Sequence, residues 1–300
     1  MNIPTFDINT LLPLGIHMNV GESPIWNARR QKWVWLDQAG RIYEFDSNMQ
    51  LLSQRNLPEK LGSLILTESD CIVVSGERSL YRFDITKPDI EQIATMDHPH
   101  QPMKFADGRC DRQGRYMVST MNPVISDKLA WGQWWNFSHQ QGFKRADTFN
   151  YIIPNGSAFS PDGKSFYCTE TESSHRKVYR CGYDIDDGVI TSRELIFDFT
   201  GLQLGRPDGA AVDTDGCYWI CGLDDGTITR LTPDGKIDQV LSVPMKKPTM
   251  CAFGGKQGNT MLVTSLSRGI EDLVEDPYGG RIMMIEMPYQ GIEEPRLKGY

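Results

Sequence analysis

Four polar residues stand out because of their types, their neighbours and their spacing: Glu22 in NVGESPIW, Asp107 in KFADGRCD, Asn155 in YIIPNGSAF and Asp208 in GRPDGAAV. Each is flanked by Gly or Pro, and each precedes a turn by a similar distance. Asn155 and Asp208 stand 8 residues before Gly163 and Gly216, Asp107 stands 7 before Gly114, and Glu22 stands 9 before Gln31. Taken alone, an Asp-Gly or Asn-Gly pair is an ordinary turn former. The shared offset argues for more, and Glu22 has no turn role in GESP. Carboxylate and amide oxygens are hard donors. Glu22, Asn155 and Asp208 together suit one divalent cation: Ca²⁺, Mg²⁺ or Mn²⁺ by preference, with Zn²⁺ tolerated, and water completing the shell.

For residues so far apart in the chain to meet, the fold must repeat. Amphipathic helical patterns are almost absent. Short alternating runs replace them, such as KWVWLD, CIVVS, SFYCTE and CYWICG, rich in aromatic and β-branched residues and bounded by turn clusters. One unit recurs, a turn followed by an apolar strand. Counted at Gln31, Asp70, Gly114, Gly163, Gly216 and Gly258, its spacings are 39, 44, 49, 53 and 42 residues. A second strand follows each copy, as in GRIYEFD, RSLYRFD and GTITRLT. Six units of four strands predict an all-β, six-bladed β-propeller with four-stranded blades around a central channel. A β-sandwich supplies short strands too, but gives no reason for this period. Length alone suggests about two domains, yet no linker divides the chain, so residues 1–300 read as one propeller domain. Equal offsets in a radial repeat place the four polar residues around one axis.

The 31 basic and 39 acidic residues leave a net charge of −8 without any basic stripe, which argues against nucleic acid and against an anionic membrane surface. No run of about 18 apolar residues predicts a membrane span. The N-terminus lacks the pattern of a secretory signal, so a cytoplasmic location is expected. The seven cysteines, mostly inside apolar runs, read as reduced core residues, and Cys217 and Cys221 within one strand make a weak zinc signal. His98 and His100 form a His-x-His pair with Pro99 between them. No third ligand is near, so a loop role is expected, with His100 at a pocket rim as the alternative.

The motifs GESPIW, PNGSAFSPDGKSFY, RPDGAAVDTDGCYW, CAFGGKQGNTMLVTS and YGGRIMMIE, in this order between Asn19 and Ile285, resemble the senescence-marker protein/gluconolactonase family of regucalcin-like lactonases. The resemblance implies a six-bladed propeller with one divalent metal on Glu22, Asn155 and Asp208. It also implies hydrolysis of sugar-acid lactones with Asp208 as the base, and a substrate shell that includes Lys104, Asp107 and Met121. No nucleophile elbow with a Ser-His-Asp set is present, which argues against acyl-enzyme chemistry. The sugar shell departs from the family pattern. Lys104 stands where an arginine is common, Ala106 where an asparagine is common, and Val124 where some members carry a glutamate. The segment from Asn122 to Arg145, with Trp131, Trp134 and Trp135, reads in its first part as a loop insertion over one face, and its tryptophans could compensate in binding a sugar ring or equally form a loop core or an oligomer contact. The expected partner is a small-molecule sugar lactone, bound by a monomer or homodimer. Two other readings remain: a metal-dependent hydrolase of another ester class, and a non-catalytic calcium-binding propeller.

Overall fold

The computed structural model describes residues 15–268 and 276–300. The N-terminal stretch read above as lacking an export signal lies outside the described residues up to position 14. Strands dominate, and they form six sheets. Five are four-stranded meanders in sequence order, and the sixth shows three strands among the described residues. In each sheet the first strand in the chain lies innermost: Gly21–Asn27, Leu64–Leu66, Lys104–Cys110, Pro154–Phe159, Arg206–Val212 and Pro248–Gly254 in blades 1 to 6. Neighbouring inner strands pack on one another around the ring, and that of blade 6 returns to that of blade 1. The result is the expected six-bladed propeller.

The repeat that predicted it has a conformational cause. All six turn residues, Gln31, Asp70, Gly114, Gly163, Gly216 and Gly258, have positive φ, between 54° and 84°. Five of them close their turns with a backbone N–H donated to the carbonyl three residues back. Four of the six are glycine, for which the left-handed region is free of the Cβ penalty. Apolar side chains fill the space between sheets. One cluster joins Trp219, Ile228, Phe253 and Met261 across blades 5 and 6, and another joins Val34, Leu64, Val74 and Phe83 across blades 1 and 2.

The two ends of the channel differ. At the ends of the inner strands the C-terminal segment crosses the axis. Buried Arg109 of blade 3 pairs there with Glu294 and donates to the Ala210 carbonyl of blade 5 at 2.6 Å. Arg296 donates to Asn27 Oδ1 at 2.7 Å and pairs with Asp70. The opposite end, at the starts of the inner strands, holds a cavity.

The Asp-Gly and Asn-Gly pairs are not turns. Asp107-Gly108, Asn155-Gly156 and Asp208-Gly209 all lie inside inner strands. A β-bulge interrupts the ladder at each of these places and beside Glu22. The glycines are there because the blades meet closely. A Cβ on Gly108 would stand 2.8 Å from Ser63 Oγ beside blade 2, and one on Gly209 would stand 2.7 Å from the Thr249 carbonyl of blade 6. Gly156 also has φ +68°, and its Cβ would collide with Tyr218 Oη and stand 3.0 Å from the Asp208 carbonyl. Gly156→Ala should therefore cost about 2–4 kcal/mol in urea unfolding. Gly142→Ala, with φ +64° and nothing within 4 Å, should cost only about 1–2 kcal/mol. Equal costs would show that blade packing does not select the glycine.

Candidate active site

The inner strands bring the four polar residues to the wall of a single cavity of about 430 Å³, as the equal offsets required. The bulges explain how. An extra residue at the strand start turns the side chain out of the regular alternation. Ser23, just after Glu22, takes φ +50°, and Gly156, just after Asn155, takes φ +68°. The result is a row of oxygen donors from blades 1, 3, 4 and 5 facing one space.

Asn155 Nδ2 donates to Asp208 Oδ1 at 2.6 Å and to Thr171 Oγ1 at 3.1 Å. Thr171 in turn donates to the Pro207 carbonyl at 2.6 Å, which ties blade 4 to the strand carrying Asp208. The Asn155 side-chain carbonyl oxygen accepts no hydrogen bond from any described residue. Glu22 is partly open to the cavity, and no described side chain donates to it. Asp107 differs from these. Its Oδ1 accepts the Gly108 N–H at 2.7 Å and its Oδ2 accepts the Ser157 N–H at 2.8 Å. It thus joins the inner strands of blades 3 and 4 while lining the cavity.

These carboxylates are buried close to one another, and their protonation reflects it. Burial pushes the Glu22 carboxyl well above the usual carboxylate range, and the charges of Asp208 and Asp107 push it further. Burial likewise raises Asp208 to about 8, against the lowering effect of Arg206, with Asp107 and Asp224 adding to the rise. Asp107 is also raised, first by burial. Desolvated like charges of this kind call for a counter-cation.

Among the described residues no three His, Cys, Asp or Glu side chains form a group placed to hold a metal. A site must therefore draw on an amide, and the accessible Asn155 carbonyl supplies one. The chemistry of the Glu22, Asn155 and Asp208 oxygens fits a hard divalent cation.

Lys104 and Met121, paired across the first two strands of blade 3, both line the cavity. Burial lowers the Lys104 ammonium to about 8, with the positive charges of Arg268 and Lys60 contributing. Met121 packs with Ala106 and Ile153 into an apolar wall. Val124 is not part of it: it is largely exposed, and its neighbours Pro123 and Ile125 line the cavity instead. Of the roles open to the tryptophans, lining the cavity is not the one observed. The inserted connection is residues 122–132, because Gln133–Ser138 is already the third strand of blade 3 and Gly142–Arg145 the fourth. Trp134 is fully buried against Phe166 of blade 4, with ring centroids 4.9 Å apart, and Trp131 stacks on His100 at 4.4 Å. None of the three lines the cavity.

His98 and His100 do not converge on a metal. His98 is buried, and its Nε2–H donates to the Glu77 carbonyl at 2.9 Å. All seven cysteines are free thiols. No described helix is long and apolar enough to cross a membrane.

Several cavity residues carry no signal of the repeat. Thr171, Lys60, Lys247 and Arg268 lie between strands or beyond their ends. Arg206 was legible in principle, two residues before Asp208. Its Nε donates to Asp224 Oδ2 at 2.6 Å.

A six-bladed propeller with a buried cluster of acid and amide oxygens at one mouth of its channel defines a recognisable class. The chain belongs to the SMP-30/Gluconolactonase/LRE-like family, whose model matches residues 20–267. It is 32% identical to a 6-deoxy-6-sulfogluconolactonase from Pseudomonas putida over 93% of this chain and 95% of that protein. It is 27% identical to an L-arabinolactonase from Azospirillum brasilense over 93% and 92%. In fold it is similar to the crystal structure of a calcium-binding protein, regucalcin, from Agrobacterium tumefaciens, with TM-score 0.89, 22% identity and 99% of each chain covered.

A carboxyl whose pKa is raised on folding holds its proton more tightly in the folded state. Its stabilising contribution is full below the unfolded value near 3.8 and is lost as pH rises through about 8. Chelator-treated protein should therefore lose on the order of 4 kcal/mol of stability between pH 5 and pH 8. Asp208→Asn should flatten that slope. A chelated wild type equally stable at both pH values would contradict the burial of repelling charges.

Proposed function

We propose that this protein is a divalent-metal-dependent hydrolase that opens sugar-acid lactones to the free acids. The observation that carries the reading is that Glu22, Asn155 and Asp208, from three blades, line one cavity large enough for a sugar ring. The family membership and the names of its two lactonase relatives support the same reaction class.

In this reading Glu22, Asn155 and Asp208 hold the cation. A bound divalent ion supplies Lewis acidity for a carbonyl oxygen and stabilises negative charge that develops there. Asp208 accepts a proton from the attacking water. With the charge of a bound cation beside it, the Asp208 carboxylate would be ionised at neutral pH despite its burial. As the ring C–O bond breaks, the same proton passes to the departing alkoxide, and water has been added across the ester. Asn155, held by Thr171, keeps the Asp208 carboxylate oriented. Arg206, paired with Asp224, keeps a positive charge beside it. The wall of Ala106, Met121 and Ile153 offers an apolar surface to one face of the sugar and excludes water from it. Lys104 and Asp107 complete the binding shell from blade 3. A weak carboxylate base suits a reactive ester such as a lactone better than an amide.

Hydrolysis of D-glucono-1,5-lactone and pentonolactones should disappear on chelation and return with Ca²⁺, Mn²⁺, Mg²⁺ or Zn²⁺. Asp208→Asn should lower kcat by about 10³-fold or more. Activity untouched by both treatments would overturn the proposal. Tight cation binding without turnover of any lactone would favour a calcium-binding propeller, the property named for the Agrobacterium protein.

A further inference from the structure

The protein carries a net charge of −8, yet six cations, Lys60, Arg78, Lys104, Arg206, Lys247 and Arg268, line this one cavity, against four carboxylates. Most of the carboxylates and two of the cations are already committed. Arg78 pairs with Asp97 and Arg206 with Asp224, both outside the cavity lining. Asp107 accepts two backbone N–H groups, and Glu22 and Asp208 belong to the proposed cation cluster. Glu77 is then the one lining carboxylate left to face Lys60 and Lys104. Among the described residues neither lysine forms an ion pair. Lys247 and Arg268 add to the positive side, but the chain that follows Arg268 lies outside the described residues, so the inference rests on Lys60 and Lys104.

Their place in the ring is informative. Glu22, Asn155 and Asp208 come from blades 1, 4 and 5. Lys104 opens the inner strand of blade 3, and Lys60 lies just before that of blade 2. In a six-bladed ring blade 2 stands opposite blade 5. A lactone whose carbonyl lies at the Asp208 side can then extend its far carbon toward blade 2, with Lys60, and the adjoining blade 3, with Lys104.

We infer that the lactone this protein opens carries a fixed tetrahedral anion, a sulfonate or a phosphate monoester, on its distal carbon, and that Lys60 and Lys104 form the subsite for it. The inference deepens the lactonase reading and rests on it. A hydroxyl at that position leaves the positive charge of Lys60 and Lys104 to be met by Glu77 and solvent. An anion satisfies both and gains charge-assisted hydrogen bonds. Desolvation and neighbouring cations disfavour the charged form of Lys104 in the empty cavity, and an anionic ligand relieves that cost. The replacement of a planar guanidinium by an ammonium also suits a point-charge contact with one oxygen rather than a fork on two sugar hydroxyls.

The test compares kcat/KM for D-glucono-1,5-lactone, its 6-phosphate and its 6-deoxy-6-sulfonate. Calorimetry of the three stable open-chain acids runs in parallel. Wild-type protein should prefer at least one charged lactone by about tenfold or more, and the better of the two names the anion. Lys104→Met and Lys60→Gln should each reduce that preference about tenfold. Lys60 is exposed at the rim, so its variant keeps the test intact if Lys104→Met does not fold. A neutral lactone turned over as well as both charged ones, or a preference unchanged in the variants, overturns the subsite. If no lactone is hydrolysed, the lactonase reading fails separately. Tighter binding of a charged acid than of gluconate, lost in Lys60→Gln, would then still support the subsite, and equal binding would overturn it.

Discussion

The close approach of neighbouring inner strands governs the rest of this molecule. At Gly108, Gly156 and Gly209 the next blade or a side chain from it stands where a Cβ would be. Only glycine permits the contact, and each glycine directly follows a polar residue, Asp107, Asn155 or Asp208. The same bulged backbone that allows the approach swings those polar side chains toward the axis. Packing and function are thus coupled at single dipeptides. The blades cannot close tightly without the glycines, and the oxygen donors do not meet unless the blades close.

That geometry creates an electrostatic problem. Three carboxylates from blades 1, 3 and 5 are buried within reach of one another's charge. Asp107 is stabilised by backbone N–H groups of its own and the next blade, so the fold neutralises it internally. Glu22 and Asp208 have no such set of donors, and their acidity is depressed accordingly. The contrast separates a carboxylate used to lock blades from two whose charge is left for something else. Six cations share the cavity lining with this acidic centre, so the cavity presents both signs. Overall charge gives no hint of this, because a net of −8 averages over the whole surface.

Much of this was legible in the sequence because the fold repeats. Turn residues such as Asp70 and Gln31 are not glycine, yet their positions in the repeat coincide with left-handed backbone, so the offsets counted from them were real distances along equivalent strands. Glu22, Asn155 and Asp208 followed from that count. The Asp-Gly and Asn-Gly pairs resemble ordinary turns because a bulge and a tight turn ask for the same residues. Trp134 and Trp135 pass for part of an insertion because an outer strand of blade 3 begins inside it. Lys60 and Thr171 were invisible. They lie between strands, where no period constrains position, and only the closed ring reveals that they face the same space as Asp208.

The segment 122–132 shows how an adaptable part of the cavity is built on a rigid one. It leaves blade 3 directly after Met121, so its course starts from a wall residue. Asn122 Oδ1 accepts the Val124 N–H at 3.1 Å, and Lys128 pairs with Glu172 at 3.0 Å, on the loop of blade 4 that also carries Thr171. Glu172 is held ionised well below the usual carboxylate range by Ser174, Lys128 and His175, although burial opposes this. The loop is therefore fixed at both ends to the two blades that supply Asp107 and Asn155. Between those anchors Pro123 and Ile125 enter the cavity lining while Val124 stays outside. The shape of the cavity can change through this loop and through Lys60 without disturbing the glycine-bearing strands, whereas Lys104 shares the inner strand of blade 3 with Gly108. Oxygen donors fixed by blade packing and a cavity rim carried partly on connections have different physical constraints, so the second can change while the first stays in place.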